Sequence, residues 1–241
     1  MSDPAVKLVI EVRDVEKRYG GLRPLRVKRL ELREGQSLAL AGFDQATAEV
    51  FVDLVTAATV PDAGEVRVFG ESTAGITDAD AWLTSLDRFG ILSQRAVLLD
   101  GLNALQNLAM PFTLDLDPMT EPLRAQATRL AREVGLDADD LAKPVAELTP
   151  AARLRVRLGR ALALTPRVLL AEHPNAALPP EDVPVFAADY ARLVAARRIA
   201  TLTLTADRAF ASAITEEVLT LQPATGELTK AAGWRGWFTG R

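Results

Sequence analysis

Glu172 and His173 close the apolar run 168–171, placing a carboxylate and an imidazole side by side at the end of a candidate strand. An imidazole there can serve as a general base near neutral pH. A second chemical locus follows the apolar run Ser37-Leu38-Ala39-Leu40-Ala41, where Gly42 opens the segment Phe43-Asp44-Gln45-Ala46-Thr47-Ala48-Glu49-Val50. Strand, glycine and helix in that order can turn backbone N–H groups toward an anion. Asp44 and Glu49 allow two readings. One carboxylate fills the anion position in place of a bound phosphate, or both acids simply complement the helix dipole and cap its first turn.

The elements that must position these residues follow from pattern. Residues 6–12 and 27–32 read as strands separated by a Gly20-Gly21 turn and a Pro24 break, which predicts a small antiparallel layer at the start. Residues 36–41 form a strand that leads through Gly42 into a helix over 47–58, and the chain returns as a strand at 65–69. Residues 88–93 are another strand. The stretch 102–142 reads as mostly helical, interrupted at Pro111 and Pro118. Thr149-Pro150 starts a long helix with a hydroxyl cap and a proline in the first turn. The strands 168–171 and 199–205 flank a helix over 181–197. Strands and helices alternating at these lengths imply a mostly parallel, covered sheet.

On this frame the chain resembles the ATP-binding subunit of ABC transporters over nearly its whole length. Five landmarks recur in register: Tyr19 at the adenine-stacking aromatic, Gly42 at the Walker A loop, Gln94 at the Q-loop glutamine, Leu148-Thr149-Pro150-Ala151-Ala152 at the LSGGQ signature, and Glu172-His173 at the Walker B strand end. The spacing onward to the switch position at Ala206 also holds. The resemblance implies an α/β fold of the ABC-type P-loop nucleotide-hydrolase class. Such a fold has a mostly parallel sheet, an N-terminal antiparallel β layer and an inserted helical subdomain. Residues 1–94 and 151–230 would form the core with its β layer, 95–150 the helical subdomain, and 231–241 a C-terminal tail, all one domain.

The same alignment strips the site of its chemistry. A phosphate loop needs glycines for close backbone approach, a lysine to neutralise charge and a hydroxyl for magnesium. Here the later glycines fall on Gln45 and Thr47, the lysine on Ala48 and the hydroxyl on Glu49, so only Gly42 survives. Losing the lysine costs about 1.5–3 kcal/mol, and a carboxylate about 4 Å from a phosphate adds roughly 4 kcal/mol at an effective dielectric of 20. Together they weaken nucleotide binding on the order of a thousandfold or more. Glu172 replaces the aspartate that orients magnesium and reaches one methylene further; Gln94 is the other residue placed to touch the metal. His173 replaces the glutamate that polarises water. Pro150 has no N–H to offer a phosphate, Ala151 adds a side chain at a glycine position, Ala206 replaces the switch histidine, and Pro179 replaces the aspartate of the subunit-contact loop. Tyr19 either stacks a base or packs the end of its strand.

Composition narrows the rest. A net charge of -4 speaks against a nucleic-acid partner, and nearly half the residues being hydrophobic with a quarter charged fits a globular protein. The absence of cysteine removes thiol chemistry, and one histidine leaves little for a zinc site. No apolar stretch reaches the roughly 18 to 20 residues that span a bilayer, and the N-terminus lacks a signal-peptide pattern. The expectation is a pseudo-ATPase with little or no ATP hydrolysis, cytoplasmic and peripheral at the inner face of the cell membrane. It would dock on a transmembrane permease subunit and pair with a second ABC ATPase-like subunit, as a homodimer or heterodimer. ATP and magnesium are the cofactors the resemblance implies, and the altered residues argue against tight binding of either. The alternatives are an active ATPase in which Glu172 and His173 take over the acidic roles, and a soluble dimeric regulator. The aromatics Trp234, Trp237 and Phe238 suit an interface, a membrane surface or local packing.

Overall fold

The computed structural model describes residues 7–230, so the Trp234–Trp237 tail lies outside the described residues. In chain order the elements are β1 (Leu8–Lys17), β2 (Leu25–Arg33), β3 (Ser37–Ala41), α1 (Gln45–Val55), β4 (Ala63–Val68), β5 (Glu71–Ser72), α2 (Ala79–Leu86), β6 (Phe89–Leu92), α3 (Ala104–Ala109), α4 (Glu121–Glu133), α5 (Pro150–Leu162), β7 (Val168–Glu172), α6 (Val183–Arg197), β8 (Ala200–Thr205), α7 (Arg208–Ile214), β9 (Val218–Gln222) and β10 (Glu227–Lys230).

Two sheets organise them. The first is antiparallel, in the order β2-β1-β4-β5, and the second is mostly parallel, in the order β10-β9-β3-β8-β7-β6. The parallel pairs β3/β8, β3/β9, β7/β8 and β6/β7 carry Ala41 beside Thr205, Glu172 beside Leu204 and Leu92 beside Ala171. Four strands therefore end together at one edge of the sheet.

Side chains that alternate along a strand point to opposite faces, and the central strands use both. Leu38 and Leu40 of β3, Val168 and Leu170 of β7, and Leu202 and Leu204 of β8 join α1 and the antiparallel sheet in one apolar cluster. Ala39, Leu169 and Ala171 face the other way, into a cluster built from α3 to α7. With apolar groups on both faces, these strands carry the continuous apolar runs that the sequence displays.

The expected strands and long helices are present with boundaries shifted by a few residues. The main departure is the stretch 102–142, where α-helix is confined to α3 and α4, with one 3-10 turn at Ala138–Asp140, and the residues between the two helices, including Pro111 and Pro118, form turns and irregular chain. Proline lacks an N–H and disfavours helix in the residue before it, which explains the gap. Sequence reasoning did not anticipate α2, α7, β9 and β10.

Candidate functional site

The ends of β3, β6, β7 and β8 lead directly into Gly42, Ser93, His173 and Ala206. Ligands of open α/β sheets bind at this carboxyl edge. Glu172, the last residue of β7, is fully buried. Its Oε1 accepts from Arg95 Nη2 at 2.5 Å, and its Oε2 accepts from Ser93 Oγ at 2.6 Å and from Arg95 Nε at 3.3 Å. Ser93 Oγ in turn accepts the backbone N–H of Arg95 at 3.1 Å, closing a ring through side chain and main chain. Across the site, Arg95 Nη1 lies 3.5 Å from Asp53 Oδ1 on α1. Burial pulls the guanidinium pKa down, but the Glu172 hydrogen bond and the charges of Glu172, Asp53 and Glu49 outweigh it and raise the value. Sequence reasoning named Glu172 and missed both Ser93 and Arg95. The available signal was a cation directly after Gln94. Gln94 itself is half-buried in the turn, with no side-chain hydrogen bond among the described residues.

The loop after β3 closes on itself. Gly42 takes φ +86°, and Phe43 turns fully inward, edge-on to Phe51 with ring centroids 5.7 Å apart. Helix α1 starts at Gln45, so the residues aligned with the cradle form its first turn. Asp44 is the N-cap: its Oδ1 accepts from Thr47 N–H at 2.8 Å, while its carbonyl accepts from Ala48 N–H at 2.9 Å. The Thr47 hydroxyl, then the Thr47 N–H, hold the Asp44 carboxyl below its ordinary range against the opposing effect of burial. Ala48 is fully buried in the apolar cluster around α1. Glu49 accepts from Gln45 Nε2 at 2.8 Å, one turn along the helix, while Val50 packs against the same cluster. The helix-cap reading of Asp44 therefore describes its geometry, and Glu49 does not occupy the helix N-terminus.

Tyr19 leans over this turn, its hydroxyl 3.0 Å from Thr47 Oγ1. A cavity of about 530 Å³ opens beside it, lined by Tyr19, Arg23, Gly42, Asp44, Ala46 and Thr47 among others.

His173 takes φ +42°, a left-handed conformation uncommon outside glycine. Its ring is buried, and Nε2 has no partner among the described residues. A general base normally has a group that orients it. Two residues further on, Asn175 Nδ2 donates to Asp207 Oδ2 at 2.8 Å, and Asp207 caps α7 by accepting from Phe210 N–H. Ala206 is exposed between β8 and that cap. Far along the chain, Thr149 Oγ1 accepts from Ala152 N–H at 3.2 Å as the N-cap of α5, with Pro150 as the first helical residue, Ala151 half-buried and Leu148 buried behind the cap.

The donor set does not fit a magnesium nucleotide. Both oxygens of the buried Glu172 carboxylate are engaged by Arg95 and Ser93, the lysine position is a buried methyl group, and the Thr47 amide of the first turn is taken by the Asp44 carboxylate.

The fold is that of an ABC transporter cassette. The dimeric structure of MJ0796, a bacterial ABC transporter cassette, superposes with a TM-score of 0.74 at 22% identity, covering 93% of this chain and 100% of that one. The cbiO1 structure from Clostridium perfringens, part of the ABC transporter complex cbiONQ, gives 0.73 at 15% identity, covering 92% and 87%. No family model matches the chain. Individual relatives are closer. The lipoprotein-releasing system ATP-binding protein LolD of Maricaulis maris is 30% identical over 225 residues, 92% of this chain and 96% of that one. The methionine import ATP-binding protein MetN of Caulobacter vibrioides is 34% identical over 176 residues, 72% of this chain and 52% of that one. The chain thus spans about half the length of the methionine-import relatives it matches. It belongs to the family of ABC transporter ATP-binding subunits.

Proposed function

We propose that this chain is a pseudo-ATPase, a cassette that serves a transporter as a structural or regulatory subunit with little or no ATP hydrolysis. The observation that carries this reading is the turn after β3, where Asp44 caps α1 with its own carboxylate and Ala48 leaves a buried methyl where a phosphate-binding lysine would stand. Phosphoryl transfer depends chiefly on positioning and charge neutralisation, and neither is supplied there.

A transmembrane permease is the proposed partner. A groove of about 510 Å³ runs between α5 and the segment after β6, with Leu98, Met110, Pro111 and Leu114 on one side and Arg157 and Arg160 on the other. Leu114, Val97 and Leu99 are exposed around it. Arg157 Nε donates to the Ala96 carbonyl and Arg160 Nη1 to that of Val97, which leaves further N–H groups on both guanidiniums, and burial lowers their pKa values. An apolar helix with an acidic residue fits that chemistry. The chain would then sit at the inner membrane face beside a second cassette, identical or not. Among the described residues no helix is long and apolar enough to cross a membrane itself.

Calorimetric titration with ATP and magnesium, beside an intact cassette, tests the proposal. No heat up to millimolar nucleotide supports it. Saturable micromolar binding with steady turnover, abolished by His173→Ala, would replace it with an active ATPase. Recovery of the native chain without any polytopic membrane protein would favour a soluble regulator.

A further inference from the structure

We propose that Arg95 is a resident cation: its guanidinium fills the cation position at the end of β7 and fastens the segment 93–96 to the sheet whether or not nucleotide is present. This rests on the impaired-site reading and adds a mechanism to it. A fully buried carboxylate requires a compensating charge, and among the described residues the only cation in an ion pair with Glu172 is Arg95. The contact is two-pronged, and the planar guanidinium suits a carboxylate in that geometry. Ser93 Oγ donates to Glu172 and accepts from the Arg95 N–H, so the turn that carries Gln94 is tied at both ends. Asp53 adds a tie to α1.

The segment so held is the connection from β6 toward α3, and Ala96 and Val97 within it receive the guanidiniums of Arg157 and Arg160 from α5. Three pieces of the molecule therefore meet on a short stretch whose position is set by an internal charge. A carboxylate free to coordinate a metal would let that stretch respond to a bound metal nucleotide. Here three hydrogen bonds already occupy most of the carboxylate's roughly four lone-pair sites. The latch is closed by the fold itself.

Hydrogen exchange on the full chain, followed by mass spectrometry over residues 93–99, reads the latch directly. Arg95→Gln is expected to speed exchange there by about tenfold while α6 is unchanged; the effect is modest because the Arg95 side chain is 42% exposed and water replaces part of the loss. The double variant Arg95→Gln with Glu172→Gln is expected to exchange more slowly than Arg95→Gln alone, because the single change strands a buried charge. Additive effects, or no change in Arg95→Gln, would overturn the proposal. Millimolar magnesium and ATP are expected to leave the native pattern over 93–99 unaltered; a nucleotide-dependent change confined to 93–99 would overturn the constitutive latch. Nucleotide affinity is measured separately by calorimetry, so binding without a change in exchange would sink the impaired-site reading and leave the latch standing. If Arg95→Gln fails to fold, Arg95→Lys, which keeps the charge and loses the two-pronged geometry, is expected to exchange faster than the native chain over 93–99, and equal exchange would overturn the proposal.

Discussion

Replacing Asp44 with alanine removes the acceptor that the Thr47 N–H uses and exposes the α1 dipole. The expected cost is about 0.5–2 kcal/mol in urea unfolding at pH 7. Because the carboxyl is held below its unfolded value, its contribution is present above the unfolded range, about pH 4, and fades as the pH falls through the lower folded value. Asp44→Ala should therefore lose less stability, relative to the native chain, at pH 3 than at pH 7. His173 behaves differently. Its orphaned Nε2 is a buried polar atom without compensation, so His173→Leu is expected to unfold at the same urea midpoint or higher, with a gain of up to about 1 kcal/mol. A large loss would instead reveal a hidden partner for the imidazole.

Between elements, the closest constraint is Gly90 in β6. A Cβ there would collide with the carbonyl oxygen of Ala161 at the end of α5 and press on Pro166. Backbone cannot give way as a flexible side chain can, so Gly90→Ala is expected to cost about 1–3 kcal/mol and to widen the groove on the α5 side; thermal unfolding and exchange at 157–164 would register both. The frame of elements was legible because the long segments have clear periods and caps: the apolar run before Gly42, Thr149 with Pro150, and the twin strands at 168 and 200. The short elements were not. Helix α7 has seven residues and little periodicity, and β10 reads as Glu-Leu-Thr-Lys with no apolar face. Of the candidate site, the positions of Gly42 after β3, Asp44 at the start of α1 and Glu172 at the end of β7 were legible, because each borders a clear apolar run or helix. The ring of Ser93, Arg95 and Glu172 was hidden, because the cation after Gln94 does not by itself name a partner 77 residues away.

For the molecule as a whole, the groove beside α5 gives a test of assembly that leaves the fold alone. Leu114 is 83% exposed and Arg160 donates to Val97. Leu114→Asp is expected to abolish co-purification with a membrane partner by placing a charge on the exposed apolar side of the groove, with unchanged circular dichroism. Retained capture would move the partner elsewhere on the chain.

The strand β7 contributes Val168 and Leu170 to one apolar cluster and Leu169 and Ala171 to the other. Neither cluster can melt without stripping alternate residues of this one strand of their neighbours, so heat should find no partly molten plateau. A scanning calorimeter would record one cooperative peak, its calorimetric and van't Hoff enthalpies equal, and the two halves of the molecule would fail as one.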